Sequence, residues 1–362
     1  MTEALLVSTA PVFEVDGEVS GDLARDLLRL EVEEATDGLK TFRLQLLAQG
    51  PRAGEINEGL RYLDGALLDF GKPISVSIGP ADASRIIFEG HLSALEVIHR
   101  EAKPPEVAVF AEDKLMTLRM TRRSKTYEEM SDADIAEAIA SEHGLAAAVD
   151  AEGPTYDRVQ QWNMSDLAFL RQRARLVQAE IWVLDDTLHF QQRDRRTATR
   201  VTLVQGNHLI ELRARADLAH QRTLVKVSGY DAATREAIEE EADDSVISGD
   251  ESTGGVTGPA VLARAFGERV SYRVREAPLN GEEAVAWAGA EMRRRARGFV
   301  TVTGITRGSS DLVVGSRVIL ENVGKPFEGP PYSVTRVVHT YDTAEGFRTL
   351  FQAERAILQE GA

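Results

Sequence analysis

Short runs of alternating apolar and polar residues, each followed by a turn signal, fill the N-terminal third of the chain. In the run from Leu28 to Val32, apolar side chains alternate with charged ones, and Asp37 and Gly38 follow as a turn pair. Similar runs cover Pro11 to Val15, Phe42 to Leu46, Ile74 to Ile78, Ile86 to Leu95 and Val107 to Phe110. Because many short strands separated by turns are typical of a barrel or sandwich, residues 1–115 are predicted to form a first β-barrel.

Helix signals appear in the middle of the chain. Ser131 is a predicted N-cap with Asp134 in capping-box position, and Ser165 is a second N-cap before an apolar face at helical spacing. A strand at Ala146 to Val149 follows the first helix, and a hairpin from Ile181 to Phe190 follows the second. Residues 116–200 are therefore predicted to form an α+β domain.

Strand patterns return in the last third, and residues 201–362 are predicted to form a second, discontinuous β-barrel. A loop and a helix, at about 231–298, interrupt it; Asn280 and Glu283 cap that helix and Gly298 ends it. Glu236 to Glu251 is densely acidic and, up to Pro259, is predicted to be a mobile loop. The predicted strands are Leu224 to Val227, Phe299 to Ile305, Arg317 to Leu320, Tyr332 to His339 and Phe347 to Ala353.

The charge balance limits the classes of partner. The 362 residues include 42 Lys and Arg against 58 Asp and Glu, which gives a formal net charge of -16. A polyanion is repelled by such a chain, so nucleic-acid recognition is not expected. Cysteine is absent, which excludes disulfides and thiolate chemistry. No run approaches the roughly 20 apolar residues of a membrane helix, so no membrane anchor is expected.

A search for reactive residues yields no candidate. The seven histidines are scattered and form no metal-binding motif. No Gly-x-Ser-x-Gly elbow or phosphate-binding loop is present, and the adjacent acidic pairs fall in predicted turns. We therefore predict a protein that is not an enzyme, with no catalytic, cofactor-binding or metal-binding residues and no cofactor. The histidines are His91, His99, His143, His189, His208, His220 and His339.

Two clusters of arginine are the strongest charged features, at residues 171–175 and 293–297. Each lies on a predicted helix and is interleaved with apolar positions. Solvated helix faces or salt bridges between subunits are the favoured interpretation, and nucleic-acid patches the weaker one.

Several segments resemble the phage late control protein D family, which includes the N-terminal hub portion of type VI secretion spike proteins (VgrG). The helix from Ser165 to Ala174, preceded by Trp162 and followed by Ile181 to Val183, is similar to a helix and aromatic strand of that family. The C-terminal strands, including Tyr332 to Val337, His339 and Phe347 to Arg355, resemble its terminal barrel hairpins. Phe13 to Leu47 matches its first barrel more loosely.

The resemblance implies a fold and a function. The expected fold is mixed but mainly β, with two tube-type β-barrel domains, an α+β domain between them and a helical insertion in the second barrel. In that family three subunits form a ring of six barrels, which presents pseudo-sixfold symmetry to a hexameric tube and threefold symmetry to a spike. The expected partners are therefore two further copies of the chain, an inner tube protein, a separate spike protein and other baseplate components. Synthesis in the cytoplasm and assembly into a virion or contractile injection particle follow.

Two alternative functions stay open on the sequence. Another tail component, such as a tube-initiating protein, would share the β-rich composition, although the α+β unit between the barrels favours a hub. A particle-associated carbohydrate-active enzyme would need two carboxylates held about 5–10 Å apart in a cleft. Lysis of peptidoglycan by the purified protein would reveal such an enzyme.

Overall fold

A computed structural model provides the structure, and it describes residues 10–50, 59–79, 84–196, 198–207, 209–247, 254–273 and 277–359. The predicted strands of the N-terminal third are present. Their alternating side chains bury one face around a core that includes Phe13, Leu30, Leu44 and Val109. The elements are β1 (Val12–Val15), β2 (Glu18–Val19), α1 (Gly21–Arg25), β3 (Leu27–Ala35), β4 (Thr41–Leu47), β5 (Pro73–Ile78), β6 (Arg85–Ile98) and β7 (Glu106–Glu112).

The middle segment contains the predicted helices and hairpin, together with two strands that the sequence did not indicate. These two strands, β8 and β10, form an antiparallel ribbon. Both are rich in polar residues because only one face of the ribbon is buried, mainly through Tyr127, Tyr156 and Val159. The elements are α2 (Leu115–Met120), β8 (Arg122–Ser131), α3 (Asp132–Glu142), β9 (Ala146–Asp150), β10 (Thr155–Ser165), α4 (Asp166–Val177), β11 (Ala179–Leu184) and β12 (Thr187–Gln192).

The C-terminal third again forms strands around a core of its own, which includes Val302, Tyr332 and Phe351. Three short 3-10 helices lie at Arg193–Arg195, Asp244–Ile247 and Lys325–Phe327. The other elements are β13 (Arg200–Val204), β14 (Leu209–Ala216), β15 (Leu224–Asp231), β16 (Glu236–Ala242), β17 (Val256–Thr257), α5 (Gly258–Phe266), β18 (Val270–Arg273), α6 (Gly281–Arg297), β19 (Val300–Arg307), β20 (Arg317–Glu321), β21 (Tyr332–Asp342), β22 (Gly346–Arg355) and β23 (Ile357–Leu358).

The acidic segment does not form the predicted mobile loop throughout. Residues Glu236–Ala242 are strand β16, which pairs with β15, and β15 continues past Ser228 to Asp231. Ile238 and Ala242 of β16 are buried and Glu240 between them is half-buried, whereas Glu239 and Glu241 are exposed, so the segment has the period of a half-buried strand. Lys226 on β15 lies 3.1 Å from the Glu241 carboxylate and offsets part of the charge. The predicted loop residues 248–253 lie outside the described part of the chain.

The two β regions share one topology. In the first, the strands lie in the order β3-β4-β7-β6-β5, and in the second in the order β14-β19-β22-β21-β20. Each region thus places its first, second, fifth, fourth and third strands side by side, and all neighbours within each set are antiparallel. We call these five-strand sets the first and second modules. The insertion containing α5 and α6 connects β14 to β19, where the first module has only a short turn between β3 and β4.

The modules also match in their irregularities. A β-bulge, in which one strand has an extra residue, occurs in the first strand of each module, at residues 27–29 and 209–211. A second bulge occurs in the fourth strand of each, at residues 92–94 and 334–336. Because a bulge breaks the ladder at a defined position, these two pairs align the modules residue by residue.

Side-chain and main-chain contacts at the second bulge repeat as well. The extra residues are Ser93 and Thr335, and each hydroxyl donates to a carbonyl oxygen of the neighbouring strand at 3.3 Å, that of Phe110 or Gln352. One residue earlier, Leu92 and Val334 occupy equivalent positions. Their amide nitrogens donate at 3.0 Å to the carbonyl oxygens of residues 72 and 316. The repeat therefore extends to individual hydrogen bonds, although the sequences of the modules differ.

In both modules, a glycine with a left-handed backbone conformation comes directly before the residue whose carbonyl oxygen accepts this main-chain hydrogen bond. Gly71 (φ +78°) and Gly315 (φ +89°) donate their N–H to the carbonyl oxygens of Leu92 and Val334, at 2.8 and 3.0 Å. A residue with a side chain is strained at such a φ. Glycine is therefore the residue that allows the chain to turn into the third strand of each module.

The modules are joined edge to edge. Strand β3 of the first module pairs antiparallel with β21 of the second, which makes thirteen of the described strands one continuous sheet. The hydrogen-bonded path of this sheet does not close on itself in the described residues. A mainly β protein is confirmed, whereas the two closed barrels stay a prediction.

Helix α6 packs away from the second module. Its buried residues Trp287, Ala288 and Met292 join the core of the middle segment, with Leu170 of α4 and Val227 of β15. The sequence indicated this helix through its caps but not its partner, because packing against the middle segment is a long-range contact. The division of the chain into domains at residues 115 and 200 stays a prediction.

Candidate assembly edges

The structure shows no arrangement suited to metal chemistry in the part of the chain that it describes. No group of three or more His, Asp and Glu side chains is placed there to hold a metal ion. His143 binds Asp166, His189 stacks on Trp182, and His339 is buried. His208 lies outside the described residues. Within the described ranges, no helix combines the length and apolar character needed to cross a membrane.

The residues that carry the family resemblance organise the start of α4. Ser165 caps the helix by accepting a hydrogen bond from the amide of Ala168 at 3.3 Å, as predicted. Asp166 is buried and accepts from Arg123 Nε at 2.7 Å and Gln161 Nε2 at 2.9 Å. Its position straight after an N-cap was visible in the sequence, but its distant partners were not. This motif is therefore a packing motif that ties α4 to β8 and β10.

Trp162 of the same motif does not join the core. It lies at a bulge of β10 next to Asn163, whose φ is +43°, and 68% of it is exposed. Its exposure follows the alternation of the strand, in which Val159 and Gln161 are buried and Gln160 is exposed.

The seam, where β3 and β21 pair edge to edge, is held by main-chain hydrogen bonds and by ion pairs between side chains. The pairing runs from Arg29 opposite Asp342 to Ala35 opposite Arg336. Arg336 Nε also lies 2.6 Å from the Glu33 carboxylate. Near the same seam, Arg196 contacts the carboxylate of Glu34, which lies 3.0 Å from Lys40 Nζ. Burial opposes ionisation of Glu34, but Lys40 and Arg196 outweigh it and lower its pKa.

His339 lies buried in this seam. Its Nδ1 is 3.0 Å from the Thr349 hydroxyl, and its ring packs against Phe347. Burial, with a smaller contribution from Lys40, lowers the pKa of His339 from 6.5 to about 4, while Glu34 acts in the opposite direction. The side chain is therefore neutral at physiological pH and packs in the seam as an uncharged residue.

A pH-dependent contribution to stability follows from His339. Between pH 6.5 and about 4 the unfolded chain binds a proton at this site that the folded chain does not. The free energy of unfolding therefore decreases as the pH is lowered through this range. The His339→Asn variant should lose this dependence. When the pH is lowered from 7 to 5, its free energy of unfolding should increase by about 2 kcal/mol relative to that of the wild type. Urea unfolding of both proteins at each pH measures this difference.

The comparison between the two proteins is necessary because Asp113 titrates in the same range with the opposite sign. Burial raises the pKa of Asp113 from 3.8 to about 6, so its folded form gains stability as the pH falls. This contribution is common to both proteins and cancels in the difference. An equal change in stability for the wild type and His339→Asn would contradict the assignment.

The residue-by-residue match of the modules identifies an exposed edge on β14. This strand is the equivalent of β3; apart from an isolated bridge between Leu209 and Gln205, its outer edge has no partner strand in the described residues. Leu30 and Val32 of β3 are fully buried beneath β21, whereas their equivalents Leu212 and Ala214 are partly exposed. At residues 211–216 the outer edge of β14 is therefore open to a neighbouring strand that the described residues do not supply.

A complementary edge lies on the C-terminal half of β6. This strand is the equivalent of β21, and on the side where β21 contacts β3 its residues 94–98 pair with no strand of the described part of the chain. Val97 is the equivalent of His339, yet Val97 is 45% exposed and His339 only 5%. All five residues 94–98 are more exposed than their equivalents in β21. The second module therefore lacks a β21-like neighbour, and the first module lacks a β3-like one.

Charges on the two edges are complementary. If β14 met β6 in the register of the seam, Ala214 would face Val97 and Arg215 would face Glu96. Glu211 would face Arg100 in the same register. Oppositely charged residues directly across an antiparallel pair stabilise it, and like charges destabilise it. The two edges thus suit each other in the register that the internal seam defines.

Three solved structures share this fold. The 43 kDa tail protein of prophage MuSo2 from Shewanella oneidensis has a TM-score of 0.70 at 13% identity, over 96% of this chain and 98% of that one. The tail protein from Neisseria meningitidis MC58 has a TM-score of 0.65 at 14% identity, over 96% of each chain. The E. coli c3393 protein is a component of the type VI secretion system, described as similar to the T4 bacteriophage tail proteins gp27 and gp5. It has a TM-score of 0.61 at 13% identity, over 97% of this chain and 79% of that one.

The architecture thus defines the chain as a protein with the fold of phage tail proteins. In sequence, residues 16–343 match the profile of the Alg8 N-terminal domain, and the chain belongs to that family. No curated protein matches the chain in sequence. The tail-protein fold that the resemblance implied is confirmed, and membership of the late control protein D family stays a prediction.

Proposed function

We propose that this protein is a structural subunit of the baseplate hub in a contractile phage tail or injection system. Three copies would form a ring that joins a hexameric inner tube to a trimeric spike. The observation that carries the proposal is the repeated module with two free, complementary edges. Neighbours of similar fold that are tail proteins and a secretion-system component support the same role.

The free edges favour a ring. Strand β14 of one copy and β6 of the next are different surfaces, so their contact is head-to-tail, and a head-to-tail contact generates either a closed ring or an open filament. If the contact between chains copies the seam within a chain, every module in the ring has nearly the same surroundings. Three chains then present six similar modules, which is the symmetry that a hexameric tube requires.

Main-chain hydrogen bonding supplies the affinity of such a contact. An exposed strand edge presents unpaired N–H and C=O groups that another strand satisfies. Side chains that are partly exposed along β14 and β6 would become buried at the same time. A protein with two such edges is expected to assemble rather than persist as a monomer.

Native mass spectrometry and electron microscopy of the purified protein test the proposal. The expected species has three times the 39.7 kDa mass of the chain, and its end-on views show a ring of six similar lobes. A stable monomer at micromolar concentration, a twofold dimer, or a ring with another number of chains would contradict the hub assignment.

A further inference from the structure

The two arginine clusters of the sequence meet in one cleft. It has a volume of about 430 Å³ and lies where α4 and α6 end, beside the turn after β3 and next to β21 and β22. Six arginines line it against three carboxylates, those of Asp37, Glu180 and Glu354. The arginines are Arg171, Arg175, Arg193, Arg294, Arg295 and Arg297.

Some of this positive charge is neutralised within the chain. Arg193 lies 3.0 Å from Glu180 and 2.8 Å from Glu354, and Arg294 and Arg295 each lie 2.7 Å from Glu291. The carbonyl ends of α4 and α6 also point into this region, and each helix C-terminus is equivalent to about half a negative charge. These ion pairs therefore give Arg193, Arg294 and Arg295 a structural role.

Two arginines of α4, Arg171 and Arg175, are not neutralised in this way. Arg171 donates to the carbonyl oxygens of Asp37 and Gly38, at 2.8 and 3.1 Å, and its nearest carboxylate oxygen, on Asp37, is 3.7 Å away. Arg175 is exposed and contacts no carboxylate of the described residues. Each guanidinium has five N–H donors and no acceptor. The cleft therefore presents guanidinium donors that a bound acceptor-rich group can take over from water.

The crowding of arginine side chains within the cleft also favours the binding of an anion. The Nε of Arg295 is buried without a well-directed hydrogen bond, although Glu291 is close. Burial is the main cause that lowers the pKa of Arg295; Glu291 acts in the opposite direction, and Arg294 and Arg222 add to the lowering. A bound anion would relieve this repulsion.

We propose that the cleft binds an acidic segment of another protein of the assembled particle, through carboxylates held by Arg171 and Arg175. Guanidinium groups bind carboxylates in a bidentate fork. Residues four apart on one helix face are separated by about 6 Å, and alternate side chains of an extended peptide by about 7 Å. An extended segment with an acidic residue at every second position therefore matches these arginines. The cleft is also larger than a single small oxyanion requires.

Fluorescence anisotropy with labelled peptides tests this site on the full-length protein. The wild type should bind the acidic peptide Glu-Ser-Glu-Ser-Glu and not Gln-Ser-Gln-Ser-Gln. The Arg175→Gln variant should weaken binding about tenfold, and Arg175→Lys should fall between, because it keeps the charge but not the fork. Arg175 is exposed, so these substitutions should leave folding unchanged.

Arg158→Gln is the matched control, since Arg158 is an exposed arginine that does not line the cleft. It should bind the acidic peptide as the wild type does. Absence of acidic-peptide binding at low salt would overturn the proposal, as would equal binding by Arg175→Gln or equal weakening by Arg158→Gln. Inorganic phosphate that displaces the peptide as well as unlabelled peptide would also overturn it, in favour of a small-anion site. The residues tested differ from those of the β14 and β6 edges, so failure here leaves the proposed ring unaffected.

Discussion

The Val97→Asp variant should fold as the wild type does but fail to form the ring. Val97 is 45% exposed in the isolated chain, so a carboxylate there remains hydrated and costs little. In the proposed ring it would occupy the position that His339 has in the internal seam, where only 5% of the side chain is exposed. Burying an unpaired carboxylate costs several kcal/mol, which weakens each contact at least about a hundredfold.

Sedimentation velocity measures this loss of assembly, and Ile86→Asp is the control. Ile86 lies on the same strand and is 65% exposed, but it is in the half of β6 that pairs with β5. The control variant should assemble, and thermal unfolding of both variants should match that of the wild type. Rings formed equally well by Val97→Asp and wild-type protein would exclude this edge as the interface.

Replacing Arg173 with methionine should destabilise the middle segment by about 3–5 kcal/mol. Arg173 Nε contacts Asp132 Oδ1 in the core, and Tyr156 donates its hydroxyl to Asp132 Oδ2 at 3.0 Å. Only 1% of Asp132 is exposed, so loss of the arginine leaves a buried carboxylate without a counter-ion. Urea unfolding followed through tryptophan fluorescence measures the effect; Trp287, whose Nε1 is 3.4 Å from the Tyr156 hydroxyl, is the tryptophan beside this pair.

Two further results are expected for this pair. The double variant Asp132→Asn/Arg173→Met should recover at least half of the lost stability, because it removes the unpaired charge together with its partner. The deficit of Arg173→Met alone should shrink as the pH falls, since protonation of Asp132 neutralises the buried group. A deficit that is independent of pH and unchanged in the double variant would show that packing, not charge, is responsible.

Elements with a local signal could be predicted from the sequence. The capping box at Ser131 and Asp134 is present, with the Asp134 carboxylate accepting from the Ser131 amide at 2.9 Å. The cap at Asn280 accepts from the amide of Glu283 in the same way. These contacts join residues three apart, so the residue types and their spacing determine them. The alternating strands of both modules were predictable for the same reason.

Features that depend on distant partners were not predictable. Strands β8, β10 and β16 are polar because each buries one face against elements far along the chain. The sequence favours a solvated helix face or salt bridges between subunits for the cluster that contains Arg173. Arg173 is instead buried, because Asp132 and Tyr156 occupy that side of α4. Helical spacing shows which residues share a face, but not what that face contacts.

The structural match between the two modules was the feature of the fold that was hardest to predict from the sequence. The sequence indicated two β regions but no sequence repeat, and the match became visible only through strand order and bulge positions. Backbone geometry is preserved at sites such as Ser93 and Thr335, where a hydroxyl makes the same contact, while the surrounding side chains differ. The free edges follow from that match and so could not be located from residue patterns.

Disulfide trapping tests most directly whether neighbouring chains repeat the internal seam. The chain has no cysteine, so the double variant Val97→Cys/Ala214→Cys introduces the only thiols, at positions that the proposed register places face to face. Mild oxidation should produce covalent dimers and trimers with nothing larger, whereas Glu96→Cys/Ala214→Cys should remain uncrosslinked because its side chains lie on opposite faces. Crosslinking of both pairs alike, of neither, or into a ladder beyond the trimer would contradict a threefold ring built from two equivalent modules.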